Sequence, residues 1–258
     1  MKITKEYYDA KYFESDKYGG KKYHLPNGTV KEWGYIARQY WEGWDSIIPV
    51  MKRLFKPKRI LDVGCGCGSF VAFARKWGLD AEGIDYSEWA ISHPVLGAEG
   101  HIHVADASEI PYPDKSFDFV LCSDTLEHIY VEDLDRVISE LYRVSSKWIF
   151  LNIGAVMNPE IYRGVKPFFI RKGQTVPKEL EGVAVAGHVT VAYPDFWILK
   201  LISDKINRGW RFRQDLVQKF RRLVPSEVIA NWTCIIVIER CKNSVRGAVL
   251  DRETPQAV

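Results

Sequence analysis

The sequence predicts an α/β protein in which a doubly wound, mostly parallel sheet carries helices on both faces. Between residues 58 and 152, short apolar runs alternate with segments whose apolar residues recur at helical spacing. The runs are mostly continuous stretches of apolar residues, as is typical of strands that are buried on both faces of a sheet. A glycine-rich turn, residues 64–68, follows the first run directly. Right-handed crossovers between such strands place the connecting helices on both sides.

Seven apolar segments are predicted to form the sheet. Five lie in the alternating region, and two lie near the C-terminal end of the chain. They are Arg59–Gly64, Ala81–Tyr86, His101–Ala105, Phe117–Cys122, Trp148–Asn152, Gly209–Arg213 and Thr233–Glu239.

Helices are predicted before and between these strands. From Trp33 to Phe55 apolar residues recur at helical spacing, and we expect one helix, or two that Pro49 kinks or divides. Ser87 has a side chain typical of a helix N-cap, so a short helix is expected to follow it. The other predicted helices are Ser69–Trp77, Val131–Val144 and Pro194–Ile206.

The chain is predicted to have three parts. Residues 1–56 form an N-terminal helical lid, residues 57–242 form the ligand-binding domain, and residues 243–258 form a disordered tail. Within the domain, an insert at about 154–190 contains several prolines and few regular elements. A loop of that length in a compact domain is usually functional or mobile.

Composition narrows the class of protein. The 258 residues are 47% hydrophobic, which is enough to bury a core, and the net charge of +3 does not point to a dedicated nucleic-acid binder. The five cysteines include no Cys-x-x-Cys pair, so we expect no disulfide framework and a reducing, cytoplasmic setting. No apolar run reaches the roughly 18 residues of a membrane span. Nothing in the sequence specifies an oligomeric state.

The turn Asp62-Val-Gly-Cys-Gly-Cys-Gly68 is predicted to bind a cofactor. Glycines allow a tight turn and close approach of a ligand, and the following helix N-terminus offers free N–H groups. Asp85, 23 residues after Asp62, ends the second strand, where an acid can bind ribose hydroxyls. These features alone leave a nicotinamide or flavin cofactor open. The acid before the first glycine favours an ammonium-bearing cofactor, because it would repel a pyrophosphate.

Together with Val104–Val120 after the third strand, these motifs resemble the class I S-adenosylmethionine (SAM)-dependent methyltransferases, in the ubiquinone-methyltransferase-like group. The resemblance covers about residues 58–152 and implies a Rossmann-like methyltransferase fold, SAM as cofactor and S-adenosylhomocysteine as product. It also implies a set of cofactor contacts. These are Asp62, Gly64, Cys65, Gly66 and Gly68 at the methionine end, Asp85 at the ribose, Tyr86, Asp106 and Ala107 at the adenine, and Ser123 at the sulfonium.

The segment Cys122-Ser-Asp-Thr-Leu-Glu-His-Ile129 after the fourth strand is where acceptor chemistry is expected. A hydroxyl acceptor benefits from a base that removes its proton, and imidazole titrates near neutral pH. We predict Asp124, His128 and His188, which lies 60 residues after His128, as catalytic residues, with either histidine as the base.

Two other interpretations of this segment stay open. Asp124, Glu127, His128 and His188 together offer donors for a divalent metal that would acidify hydroxyls, although no metal ligand is assigned. This pattern resembles small-RNA 3′-end 2′-O-methyltransferases and ubiquinone-pathway O-methyltransferases, which carry Glu where this chain has Asp124. In the second interpretation, Glu127 and His128 only brace a helix.

The predicted function is methyl transfer from SAM, most simply to oxygen of a small molecule or saccharide. Aromatic residues crowd the lid, where their faces could stack on a sugar ring or pack the lid onto the domain. Basic residues near 166–178 and 208–222 keep RNA 2′-O-methylation as an alternative, although nucleic acid is not the favoured partner. A non-catalytic SAM-binding regulatory module is the remaining alternative.

Overall fold

A computed structural model describes residues 2–9, 12–13, 22–24, 30–32, 41–156, 166–180, 187–202 and 209–241. At its centre is a seven-stranded sheet flanked by helices, which confirms the predicted fold class. Its strands are β1 (Arg59–Val63), β2 (Asp80–Asp85), β3 (Ile102–Val104), β4 (Phe117–Ser123), β5 (Ser145–Ile153), β6 (Trp210–Phe212) and β7 (Cys234–Arg240).

The order of the strands creates a ligand-binding crevice. Across the sheet they lie in the order β6-β7-β5-β4-β1-β2-β3, and β7 runs against both of its neighbours. The chain moves outward from β1 through β2 to β3 and then returns to the other side of β1 as β4. Open α/β sheets bind ligands where the order reverses, outside the carboxyl ends of the strands. Here that point lies between β1 and β4.

Helices cover both faces of the sheet. They are α1 (Trp44–Phe55), α2 (Ser69–Lys76), α3 (Glu88–Ser92), α4 (Leu134–Val144), α5 (Pro194–Ile202) and α6 (Gln214–Leu223). Apolar residues of α1, α2 and α6 share one buried cluster with one face of the strands, and those of α4 and α5 share a second cluster with the other face. Each helix of the described chain is too short or too polar to cross a membrane.

Several predicted elements differ from the structure in detail. Ser87 is confirmed as the N-cap of α3, because its Oγ accepts a hydrogen bond from the Ala90 N–H at 3.1 Å. Pro49 lies inside α1 without dividing it. The N-terminal segment is not helical throughout, since Lys22–His24 and Val30–Glu32 pair as antiparallel strands. Residues 33–40, the end of the predicted helix at 203–206 and the predicted tail at 243–258 lie outside the described residues.

Two short strands of the insert pair with each other beside the segment that follows β4. Phe168–Phe169 and Thr190–Val191 pair as antiparallel strands, and the Ile170 N–H donates to the Val189 carbonyl at 2.8 Å. This pairing places His188 beside the carboxyl end of β4, because the Val189 N–H also donates to the Glu127 carbonyl at 2.9 Å.

Candidate functional site

A cavity of about 590 Å³ opens at the carboxyl ends of β1, β2 and β4. A cavity of this size accommodates a ligand of nucleotide size. Its walls come from the N-terminal segment, the glycine turn, the loops after β2, β3 and β4, and the insert. Seven of the predicted site residues line it: Gly64, Asp85, Tyr86, Asp106, Ala107, Asp124 and His128. The other predicted residues do not line it, although all lie in adjoining segments: Asp62, Cys65, Gly66, Gly68, Ser123 and His188.

The glycine turn has a backbone that other residues adopt poorly. Gly64, Gly66 and Gly68 all have positive φ, at 80°, 54° and 84°. A Cβ on Gly64 would lie 2.2 Å from the Oγ1 of Thr125, which follows β4. The Thr125 hydroxyl in turn lies within hydrogen-bond distance of the Val63 carbonyl, at 3.2 Å. Glycine at position 64 therefore lets the ends of β1 and β4 meet at the crevice.

Asp85 is held as a fixed acceptor at the end of β2. Its Oδ2 accepts a hydrogen bond from the Gly66 N–H at 2.8 Å, and its Oδ1 accepts one from the Ser87 N–H at 2.8 Å. Burial raises the pKa of Asp85, and these backbone donors oppose the rise. Each carboxylate oxygen has a second lone pair, so Asp85 retains acceptor capacity for the hydroxyls of a ligand in the cavity.

Asp62 is a buried carboxyl near the turn, with 5% of its surface exposed. Burial, together with repulsion from Asp85, raises the pKa of Asp62 to about 8. The group is therefore mostly protonated at neutral pH and would ionise when a cation approached it. That chemistry fits the ammonium of an amino-acid ligand held near the turn.

The far side of the cavity has an aromatic ring and a polar loop. The Tyr86 ring is 43% exposed, and the Lys5 ammonium lies 5.2 Å from its centroid. Asp106 Oδ1 accepts a hydrogen bond from the Ser108 N–H at 2.7 Å, which shapes the loop after β3. A flat ring with polar edges would find both a stacking face and hydrogen-bonding groups here.

Two histidines meet at the opposite end of the site. The rings of His128 and His188 contact edge to face, with centroids 4.7 Å apart. Burial lowers the pKa of His128 to about 4, so this imidazole is neutral at physiological pH. A neutral imidazole on the cavity wall can accept a proton from a ligand.

Glu127 joins the histidine pair to the sheet. Its Oε1 accepts a hydrogen bond from the Gly154 N–H at 2.8 Å. Its Oε2 is buried and has no hydrogen-bond partner among the residues that the structure describes. Burial and repulsion from Asp124 raise the pKa of Glu127 to about 8.

The structure brings together three of the four residues considered as metal donors. One donor atom each from Glu127, His128 and His188 lie within 4.8 Å of one another. Asp124 is not in this group. Its Oδ2 instead accepts hydrogen bonds from the Asn152 side chain and from Ser123 Oγ, both at 3.0 Å. This arrangement supplies one carboxyl and two imidazoles, a donor set that suits either proton transfer or a metal ion.

Some wall and bracing residues are not expected from the sequence. Thr125 links β4 to β1, and Asn152 at the end of β5 holds Asp124. A polar residue at the carboxyl end of a parallel strand is a signal that could have identified Asn152. Lys172 and Gly173 of the insert also line the cavity, and no sequence pattern marks them.

Residues 61–147 match the family described as a methyltransferase domain. An alignment of 99 residues with ajmaline N-methyltransferase of Rauvolfia serpentina is 35% identical. It covers 35% of this chain and 33% of the relative. A second alignment of 99 residues, with a probable chloroplastic tocopherol O-methyltransferase of Oryza sativa subsp. japonica, is 37% identical. It covers 35% of this chain and 27% of the relative. The chain thus spans about a third of the length of these curated relatives.

Solved structures share the fold across most of the chain. The plantazolicin methyltransferase BpumL, in complex with S-adenosylhomocysteine (SAH), superposes with a TM-score of 0.53 at 16% identity. The match covers 80% of this chain and 84% of that one. At this identity the likeness shows the fold, which is shared well beyond residues 61–147.

Proposed function

We propose that this protein, which carries a class I SAM-dependent methyltransferase domain, transfers the methyl group of SAM to a hydroxyl oxygen of a small molecule or saccharide. The observation that carries the proposal is the imidazole of His128 on the wall of the same cavity that Asp85 lines. A nucleotide-binding carboxylate and a proton acceptor in one cavity are the parts that methylation of a hydroxyl requires.

The residues present fit the cofactor. The glycine turn leaves room for its amino-acid end, and Asp62 can compensate its ammonium. Asp85 offers acceptors for the ribose hydroxyls, and the exposed Tyr86 ring offers a face for adenine. When bound, SAM supplies an electrophilic methyl on sulfur, so the C–S bond breaks as the C–O bond forms and SAH remains.

His128 is proposed to act as the base. The imidazole would take the proton of the acceptor hydroxyl, and His128 would then carry the positive charge. His188 packs against this ring and confines it, while Glu127 ties the His188 segment to β5 through the Gly154 N–H. The side chain of Asp124, which is bound to Asn152, is proposed to shape the wall between cofactor and acceptor.

The charges of the described chain support a small acceptor over RNA. In the insert, Arg171 pairs with Glu132 and Lys172 pairs with Asp133, each at 3.1 Å. In the second basic stretch, Arg211 pairs with Glu239 at 2.6 Å, and Arg213 pairs with Asp215 at 2.7 Å. These pairs partly neutralise the two basic stretches, which favours a small acceptor over RNA. The Tyr8, Tyr12 and Phe13 side chains line the cavity and provide apolar surface for a compact acceptor.

The first arm of the test measures cofactor binding by calorimetry. Asp85→Asn should weaken SAM binding by roughly tenfold or more, because it removes a charge-assisted hydrogen bond to the ribose. Asp80→Asn is the matched control, since Asp80 begins the same strand at the end remote from the cavity. If both variants bound SAM with the same affinity as the wild type, the assignment of Asp85 would be refuted.

The second arm measures SAH release from SAM with four sets of acceptors: phenols, free and nucleotide-linked sugars, primary amines, and short RNA oligonucleotides. We expect turnover with a phenol or sugar, a loss of roughly a hundredfold or more in His128→Ala, and no change after chelation with EDTA. Turnover with amines alone would replace the oxygen acceptor by nitrogen. If EDTA inhibited the reaction, a metal held by Glu127, His128 and His188 would activate the hydroxyl in place of an imidazole base.

A further inference from the structure

Tyr8 contacts both ends of the site at once. Its backbone carbonyl accepts a hydrogen bond from Ser87 Oγ at 2.6 Å, and the Ser87 N–H donates to Asp85. Its phenol oxygen lies 3.3 Å from His128 Nδ1 and 3.3 Å from the Gly187 carbonyl oxygen. The residue therefore connects the loop that holds the ribose carboxylate to the imidazole on the acceptor side, 120 positions along the chain.

The hydrogen-bond partners of the phenol determine which way the protons point. A phenol has one proton to donate, and a backbone carbonyl can only accept. The Tyr8 proton therefore goes to the Gly187 carbonyl, which also interacts with the His128 ring, and the phenol oxygen accepts a hydrogen bond from His128 Nδ1. An imidazole that carries its proton on Nδ1 has its lone pair on Nε2.

Gly187 makes this arrangement possible. Its φ is +85°, and a Cβ at this position would lie 2.9 Å from His128 Nδ1 and 3.0 Å from the Tyr8 phenol oxygen. Only a residue without a side chain lets the imidazole, the phenol and the Gly187 carbonyl meet.

We infer that Tyr8 is a positioning residue that holds His128 in the Nδ1–H tautomer, so that Nε2 receives the proton of the acceptor hydroxyl. The inference rests on the proposed function for its catalytic consequence. The proton leaves the acceptor oxygen for Nε2, that oxygen takes the methyl group as the C–S bond breaks, and the products are a methyl ether, SAH and an imidazolium. The bond from Nδ1 to Tyr8 keeps the ring oriented as it becomes charged.

Tyr8→Phe and Tyr130→Phe form a matched pair of variants. The Tyr130 phenol donates to the Ile3 carbonyl and so fastens the same N-terminal segment from the α4 side of the cavity. Each variant loses one hydroxyl from the attachment of the segment, and Tyr8→Phe also loses the partner of Nδ1.

The primary readout is ¹⁵N NMR of histidine-labelled full-length protein, with the His128 signals assigned by their loss in His128→Gln. We expect protonated Nδ1 in the wild type and in Tyr130→Phe, and a shift toward the Nε2–H tautomer in Tyr8→Phe. This readout needs neither cofactor nor acceptor. A tautomer unchanged in Tyr8→Phe would overturn the inference even if the protein is a methyltransferase.

The second readout is steady-state kinetics with the acceptor found in the panel. Tyr8→Phe should lower kcat about tenfold or more while KM for SAM stays within about twofold, because the base is misoriented and the cofactor contacts are kept. If KM for SAM rose equally in both variants and kcat did not change, Tyr8 would only attach the N-terminal segment, and the positioning role would be overturned. A tautomer shift without turnover on any acceptor would uphold the positioning of His128 and count against the proposed function.

Discussion

At the scale of single residues, the site depends on positions where any side chain would collide with a neighbour. Gly64 combines a φ of 80° with a gap of only 2.2 Å between the position that a Cβ would take and Thr125 Oγ1. Gly78 has a similar φ of 72° at the end of α2, but no atom of the described residues lies within 4 Å of a Cβ there. The two glycines therefore separate the cost of the backbone conformation from the cost of the collision.

Gly64→Ala should destabilise the protein by roughly 2–5 kcal/mol, the sum of a left-handed backbone and an overpacked contact. Gly78→Ala should cost only about 1–2 kcal/mol, because it has the backbone term alone. Chemical denaturation of both variants measures the difference. Equal losses would mean that the turn yields to a methyl group and that Thr125 does not fix it.

Single residues also show where sequence reasoning succeeds. Asp85 and the glycines were predictable because local chemistry dictates them: a turn that needs positive φ, and an acid at the end of the next strand. The partnership of Tyr8 with His128 was not predictable, since it joins residues 120 positions apart through a segment without periodicity. The same holds for Asp124, whose carboxylate is diverted by Asn152 on a neighbouring strand.

At the scale of elements, the N-terminal segment is attached by aromatic side chains. Tyr12 and Phe13 are 4% and 3% exposed and form a small cluster with Cys67 of the glycine turn and Ala90 of α3. The Phe13 ring stacks on Trp89, with centroids 5.2 Å apart. The cluster is separate from the two clusters that cover the sheet. We therefore expect the segment to detach without unfolding the domain.

Phe13→Ala should loosen the segment, because truncating a buried phenylalanine removes about 3–5 kcal/mol of packing. Hydrogen exchange should accelerate at the amides of Tyr7 and Tyr8 while the amides of β1 keep wild-type protection. Phe169→Ala is the control, since Phe169 is 39% exposed and packs elsewhere. Uniformly faster exchange in β1 would show instead that the segment is part of the cooperative core.

The elements that are easiest to predict are those marked by a run of apolar residues or by apolar residues at helical spacing. All seven strands are identifiable because each is a short run rich in large apolar residues, and their boundaries shift by only a few residues in the structure. Pro49 does not divide α1, because the surrounding Ile47, Ile48 and Met51 pack into the core and stabilise one continuous helix. The strand pair inside the insert involves two residues on each side, too few to leave a pattern.

At the scale of the whole molecule, the order of the strands brings together titratable side chains whose effects on stability change with pH in opposite directions. The reversal between β1 and β4 buries Asp62 and Glu127 near the crevice that the half-buried His128 lines. Glu127 and Asp62 have pKa values near 8 when folded, above their ordinary values of 4.5 and 3.8. Their stabilising contribution is complete below those ordinary values and is lost as the pH rises toward 8. His128, lowered to about 4 from 6.5, contributes stability above 6.5 that is lost as the pH falls toward 4.

Between pH 6.5 and 8 the two carboxyls therefore determine the trend among these three groups, and the wild type should lose stability as the pH rises. Each carboxyl can contribute up to about 1.4 kcal/mol per pH unit in that window. Glu127→Gln keeps an oxygen that accepts the Gly154 N–H but cannot ionise. The stability that this variant loses between pH 6.5 and 8 should therefore be roughly half of the stability that the wild type loses. Glu227→Gln, at an exposed position, should follow the wild type. Urea denaturation at pH 6.5 and pH 8 measures both, and parallel losses in wild type and Glu127→Gln would mean that Glu127 is already ionised in the folded protein at neutral pH.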